Sequence, residues 1–114
     1  MPIIYLCGKL DTTDEAFNFY ADAEDFLSTI PEFESYKIVN FTKMAEVLPE
    51  LSPYQFQQIA FEFIQISDVV FMVDGWQKSQ CARTELAYAK LMGKRIVYQD
   101  YFKKYRKERN NDNE

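Results

Sequence analysis

Ile3 to Cys7 (IIYLC) is an apolar run with no polar break, closed by Gly8, the pattern of a strand covered on both faces. Val69 to Val73 (VVFMV) repeats it. Tyr36 to Phe41 (YKIVNF) and Arg95 to Tyr98 (RIVY) mix polar and apolar positions and predict two shorter strands. Between these runs the apolar spacing becomes helical. Ala16, Tyr20, Ala23, Leu27 and Ile30 fall on one stripe ahead of Pro31, behind a first turn carrying Asp14 and Glu15 that Thr12 or Thr13 can cap. Ser52-Pro53 supplies a cap and a first-turn proline for a second helix through Phe56, Ile59, Ala60 and Phe63. A third helix spans Ser79 to Gly93, whose Cys81, Ala82, Leu86, Tyr88, Ala89, Met92 and Gly93 share one arc at about 100° per residue.

The order βαβαβαβ with short loops predicts an α/β fold: a small doubly wound, Rossmann- or flavodoxin-like α/β/α sandwich around a parallel sheet of about four strands. In such sheets ligands bind beyond the carboxyl ends of the strands. That rule places Gly8 to Asp14, Asn40 to Phe41 and Asp74 to Gln80 (including Gly75, Trp76 and Ser79) around a cleft. It puts Asp68, at a strand start, at the opposite end, where it reads as a cap. Glu85 lies inside the apolar arc of the third helix, whereas Arg83 and Lys90 project from the other side. A buried acid without a partner is costly, and it answers with a raised pKa or a hydrogen-bonding partner. Two readings follow: a structural carboxylate bonded to a tyrosine or a backbone amide, or a reactive group at the floor of the cleft.

Composition narrows the function classes. At 114 residues with net charge −5, the chain forms one domain and lacks the basic footprint that binding to a nucleic-acid polymer requires. The basic run Lys103 to Arg109 is confined to a charged tail, Lys103 to Glu114, so the folded domain is expected over residues 1–102. Ten Phe, eight Tyr and one Trp exceed what one small core readily encloses, which predicts a homodimer or higher homo-oligomer or an aromatic cleft. No stretch approaches ~18 apolar residues and the start MPIIYLCGKL has no signal-peptide pattern, so a cytoplasmic protein without membrane contact is expected. Cys7 and Cys81 have no metal or redox spacing and histidine is absent; neither a metal nor another cofactor is expected. Cys7 reads as a small buried side chain. Cys81 stands in a helix first turn, which favours a thiolate, but without a basic partner in evident pairing position.

Three segments together carry a resemblance. Tyr5 to Gly8 (YLCG), Ser67 to Trp76 (SDVVFMVDGW), and the pattern S-x-x-A-x-x-E-L-A-x-A from Ser79 that leads into GKRIVY resemble the nucleoside 2-deoxyribosyltransferase superfamily. Within it, the segment from Asp74 to Glu85 is most similar to the small domains grouped as DUF4406. The YLCG segment and the spacing from Ser79 to Glu85 are also similar to the branch that hydrolyses 2′-deoxynucleoside 5′-monophosphates. The resemblance spans residues 3–98. It implies a small-molecule nucleoside or nucleotide substrate, with Glu85 attacking C1′ of the sugar and displacing the base in the manner of a retaining glycosidase. It further implies that Tyr5 stands beside the sugar and orients Glu85, and that Ser79 contacts a 5′-phosphate. The free N–H groups near Ser79 to Ala82 at the helix start suit that anion.

The chain departs from the family pattern at three places. Ala60 stands where the transferases carry an acid, Ser79 where they carry an aspartate, and Cys81-Ala82 where they carry Gly-Thr. Asp74 reads either as a substitute acid or as an ordinary turn residue before Gly75. Trp76 reads either as a base-stacking ring or as an interface anchor. Two functions therefore stand side by side: an N-glycosidase or deoxyribosyltransferase, and a non-catalytic protein that binds a nucleotide or nucleotide-derived signal with the same cleft.

Overall fold

A computed structural model describes residues 2–9, 14–47 and 50–104. The elements are β1 (Ile3–Cys7), α1 (Asp14–Ser28), β2 (Lys37–Val39), α2 (Thr42–Val47), α3 (Pro53–Ile66), β3 (Val69–Met72), α4 (Gln80–Leu91) and β4 (Arg95–Tyr98), with 3-10 turns at Pro31–Phe33 and Trp76–Lys78. Residues 99–104 are helical and follow β4 directly. The proposed caps Thr12 and Thr13, and the tail beyond residue 104, lie outside the described residues.

The four strands form one parallel sheet in the order β2-β1-β3-β4. The chain steps one way from β1 to β2 and the other way from β2 to β3 and on to β4. Parallel crossovers keep one hand, so helices that step in opposite directions cover opposite faces. Accordingly α1 packs Tyr20, Ala23 and Leu27 on Ile4, Leu6, Val69 and Phe71, while α3 and α4 pack Ala60, Ile64, Ala82 and Ala89 on Tyr5, Cys7, Val70 and Met72. β1 and β3 are the central strands, and nearly every residue in them is buried, which is why both read as unbroken apolar runs. Each fully buried aliphatic side chain contributes roughly 1.5–3 kcal/mol.

α3 begins with a capping box in which Ser52 and Gln55 satisfy each other's backbone amides, with Pro53 in the first turn. α2 has no counterpart in the spacing of apolar residues. It is six residues long and is started by Asn40, whose Oδ1 accepts from the Thr42 amide and hydroxyl. Cys81 and Met92, which spacing assigns to the apolar arc of α4, are exposed. Both stand at the ends of that helix, where its neighbours no longer cover it. Asp68 does not cap a helix: its Oδ2 accepts from the Ile3 amide at 2.8 Å and fastens the start of β1 to the start of β3.

Candidate active site around Glu85

Ser79 caps α4 by accepting from the Ala82 amide at 3.1 Å. Glu85 follows in the second turn, on the face that meets α3 and the sheet, and is only 7 % exposed. Tyr5 rises from the middle of β1 on that same face and donates its hydroxyl to Glu85 Oε1 at 2.5 Å. From α3, Gln57 donates its amide to Glu85 Oε2 at 3.1 Å. Cys7, two residues beyond Tyr5 on β1, donates its thiol to the Ala82 carbonyl at 3.5 Å and also faces the carboxylate. Three elements that lie far apart in sequence thus converge on one acid.

The electrostatics follow from this enclosure. Burial raises the Glu85 carboxyl above its ordinary value, and the bonds from Tyr5, Gln57 and Cys7 pull it back by favouring the charged form. The Tyr5 hydroxyl and the Cys7 thiol are both pushed well up, first by burial and then by the charge of Glu85. Both keep their protons and serve as donors. Either is a poor base or nucleophile in this state. A carboxylate offers about four lone-pair positions. The bonds from Tyr5 and Gln57 leave others for a reacting carbon.

The remaining candidate residues divide. Ser79 and Ala82 form the start of α4 on the Glu85 side, and Ala82 is fully buried. Trp76 packs near the same cluster with its ring 5.9 Å from Tyr98, and its indole N–H is buried without a partner among the described residues. Gly75 adopts a left-handed conformation, φ 88°, that places the edge of Phe19 3.5 Å from where a side chain would begin. Gly8 allows β1 and β3 to approach at their ends: a Cβ there would lie 3.0 Å from that of Val73. Asn40 is committed to the start of α2 and to Glu24, which accepts from its Nδ2 at 3.1 Å.

Asp74 is drawn away from Glu85. Its Oδ2 pairs with Lys103 Nζ at 2.9 Å, and that ammonium sits 5.7 Å over the ring of Phe26 on α1. Its backbone amide donates to Oε1 of Gln99, a fully buried residue. The carboxylate therefore belongs to the α1 side of the sheet, and Glu85 to the α3–α4 side. Gln57 is the participant that apolar periodicity alone passes over. Its signal was present: it shares with Ala60, Phe61 and Ile64 the i, i+3, i+4, i+7 stripe of α3, an amide at the head of an otherwise apolar row.

The fold is a doubly wound α/β domain with the buried Glu85 beside its parallel sheet. Residues 3–98 match the family described as a domain of unknown function, DUF4406, and the chain belongs to that family. Among solved structures it is similar to the CMP N-glycosidase BcmB of Clostridium botulinum, at 20 % identity and a TM-score of 0.56, covering 84 % of this chain. The match extends over 66 % of that enzyme, so this chain spans less than two thirds of its length. No curated protein matches the chain in sequence.

Proposed function

We propose that the protein is an N-glycosidase or deoxyribosyltransferase for a small nucleoside or nucleotide, with Glu85 as the nucleophile at C1′. The observation that carries this reading is the buried Glu85 carboxylate held by the Tyr5 hydroxyl at 2.5 Å. A weakly solvated carboxylate is a stronger nucleophile, and the donors around it preserve its ionised form. In the first step a Glu85 oxygen bonds to C1′ as the C1′–N bond breaks, and the bond electrons leave with the base. In the second, water or another base attacks C1′ and Glu85 departs with its electron pair, the proton lost by the attacking group ending on the departed base, so the configuration at C1′ is retained. Tyr5 and Gln57 hold the carboxylate through both steps. The start of α4, with Ser79 and the amides through Ala82, is suited to the 5′-phosphate of a nucleotide. The activity named for the structurally similar CMP N-glycosidase supports the same class of substrate.

A second reading is non-catalytic binding of a nucleotide or nucleotide-derived signal. It is favoured by Ala60 in place of an acid and by the tie of Asp74 to Lys103. Incubation with a panel of deoxynucleosides, nucleosides and their monophosphates, followed by chromatography for free base, separates the two. Release of base from at least one member, lost in Glu85→Gln, is the expected result. Binding without release by the unmodified protein removes the enzyme reading and leaves the second.

A further inference from the structure

We propose that Gln57 reads the sugar: while an amide hydrogen holds Glu85, its carbonyl oxygen accepts from the 2′-hydroxyl of a ribosyl substrate, favouring ribose over 2-deoxyribose. This rests on the reading of Glu85 as the group that meets C1′. The orientation of the amide is set by its partner. An ionised carboxylate only accepts hydrogen bonds, so Gln57 must turn its NH₂ toward Glu85 Oε2, 3.1 Å away, and its carbonyl oxygen to the other limb of the amide. That oxygen has no hydrogen-bond partner among the described residues.

The two β1 side chains that face Glu85 are sealed in, Tyr5 at 2 % and Cys7 at 0 % exposure, whereas Gln57 is only half-buried. Of the side chains that face the carboxylate from β1 and α3, Gln57 is thus the one a ligand can meet from solvent. An attacking oxygen stands roughly 3–3.5 Å from its carbon in a reactive complex. The 2′-hydroxyl is borne on the carbon next to C1′, so a side chain bonded to the attacking carboxylate lies within reach of it. The backbone beneath Gln57 is firm: the Ser52–Gln55 capping box and Pro53 secure the start of α3, and Phe61 against Tyr88, ring centres 4.4 Å apart, locks α3 to α4. A polar group held on a rigid element discriminates by being left unpaired when the ligand lacks its partner.

Calorimetric titration of ribose 5-phosphate and 2-deoxyribose 5-phosphate into the unmodified protein and Gln57→Met tests this, because methionine keeps the length of the side chain and removes both amide groups. The expected result is tighter binding of the ribose compound by the unmodified protein, with that preference reduced about five- to tenfold in Gln57→Met and affinity for the deoxy compound changed far less. Gln57→Asn, which withdraws the amide by one methylene, is expected to show the same loss of preference. Equal binding of both sugars by the unmodified protein overturns the proposal, and so does a preference that survives in the variants. A parallel assay of base release from CMP and dCMP distinguishes the two levels. Equal release from both by the unmodified protein and Gln57→Met keeps the role of Glu85 and removes that of Gln57. Failure of either sugar phosphate to bind, with no base released, removes both.

Discussion

Glu85 is a carboxyl group that the fold penalises for its charge, and the sign of that penalty is measurable. In the unfolded chain it ionises near the ordinary value of 4.5, whereas burial raises its pKa in the folded protein. Between those two values the native state holds more protons than the unfolded state, so stability falls as pH rises through the window. The contribution is fully present below 4.5 and lost above the raised value. Glu85→Gln removes this dependence. Thermal unfolding is expected to give the variant a Tm advantage over the unmodified protein that widens from pH 4 to pH 8; a gap that stays constant with pH would show that the carboxyl is not desolvated. The same substitution is expected to reduce base release by about 10³-fold or more, since it deletes the nucleophile. Stability gained and activity lost in one variant mark a group retained for chemistry.

At the level of the element, α4 combines two functions in its first turns. Ser79 stabilises the helix by accepting from the Ala82 amide, and its own hydroxyl hydrogen is left to donate. The N–H groups before the first full turn are unpaired within the helix and, with the helix dipole, favour an anion. Ser79→Ala is therefore expected to cost about 1 kcal/mol of stability through the cap. It is also expected to weaken nucleotide binding about tenfold, with the nucleoside nearly unaffected. Calorimetry of both ligands on both proteins checks this, and equal affinity of the unmodified protein for nucleoside and nucleotide would reduce Ser79 to a cap alone. α3 contributes differently. It turns an apolar stripe onto the sheet and α4, and at the head of that stripe presents Gln57 to Glu85.

For the whole molecule, we propose self-association through apolar groups left on the surface. Tyr54 on α3 is 73 % exposed and Leu91 at the end of α4 is 82 % exposed, with Met92 beside it. Among the described residues these are large apolar groups on the two helices that also frame Glu85. We expect a dimer at roughly tens of micromolar protein, measured by light scattering. Leu91→Lys is expected to shift that population toward monomer with little change in fold stability, because exposed positions tolerate substitution within about 0.5 kcal/mol. A monomer at all concentrations, or a dimer indifferent to Leu91, would show that this surface is not the contact. Among the described residues no helix is long and apolar enough to cross a membrane.

The order of strands and the main helices was legible in the chain because both signals are local. A strand covered on two faces must be apolar throughout, so Ile3–Cys7 and Val69–Met72 announce themselves, and β4 begins and ends where RIVY does. The helical arc around Glu85 likewise singled out the acid, since one turn of backbone carries its own periodicity. The short α2 was not legible: it is started by an Asn40 cap and is too brief to establish an apolar stripe. The company Glu85 keeps was only half written. Tyr5 was implied by resemblance, but Gln57 reaches the carboxylate from 28 positions away and Lys103 claims Asp74 from 29. Such meetings are decided by the sheet order β2-β1-β3-β4 and the single hand of its crossovers, which bring α3 and α4 to one face and leave α1 and Lys103 on the other. Local periodicity determines which face of an element turns inward; only the packing of distant elements decides how much of that face is covered and which buried side chains touch.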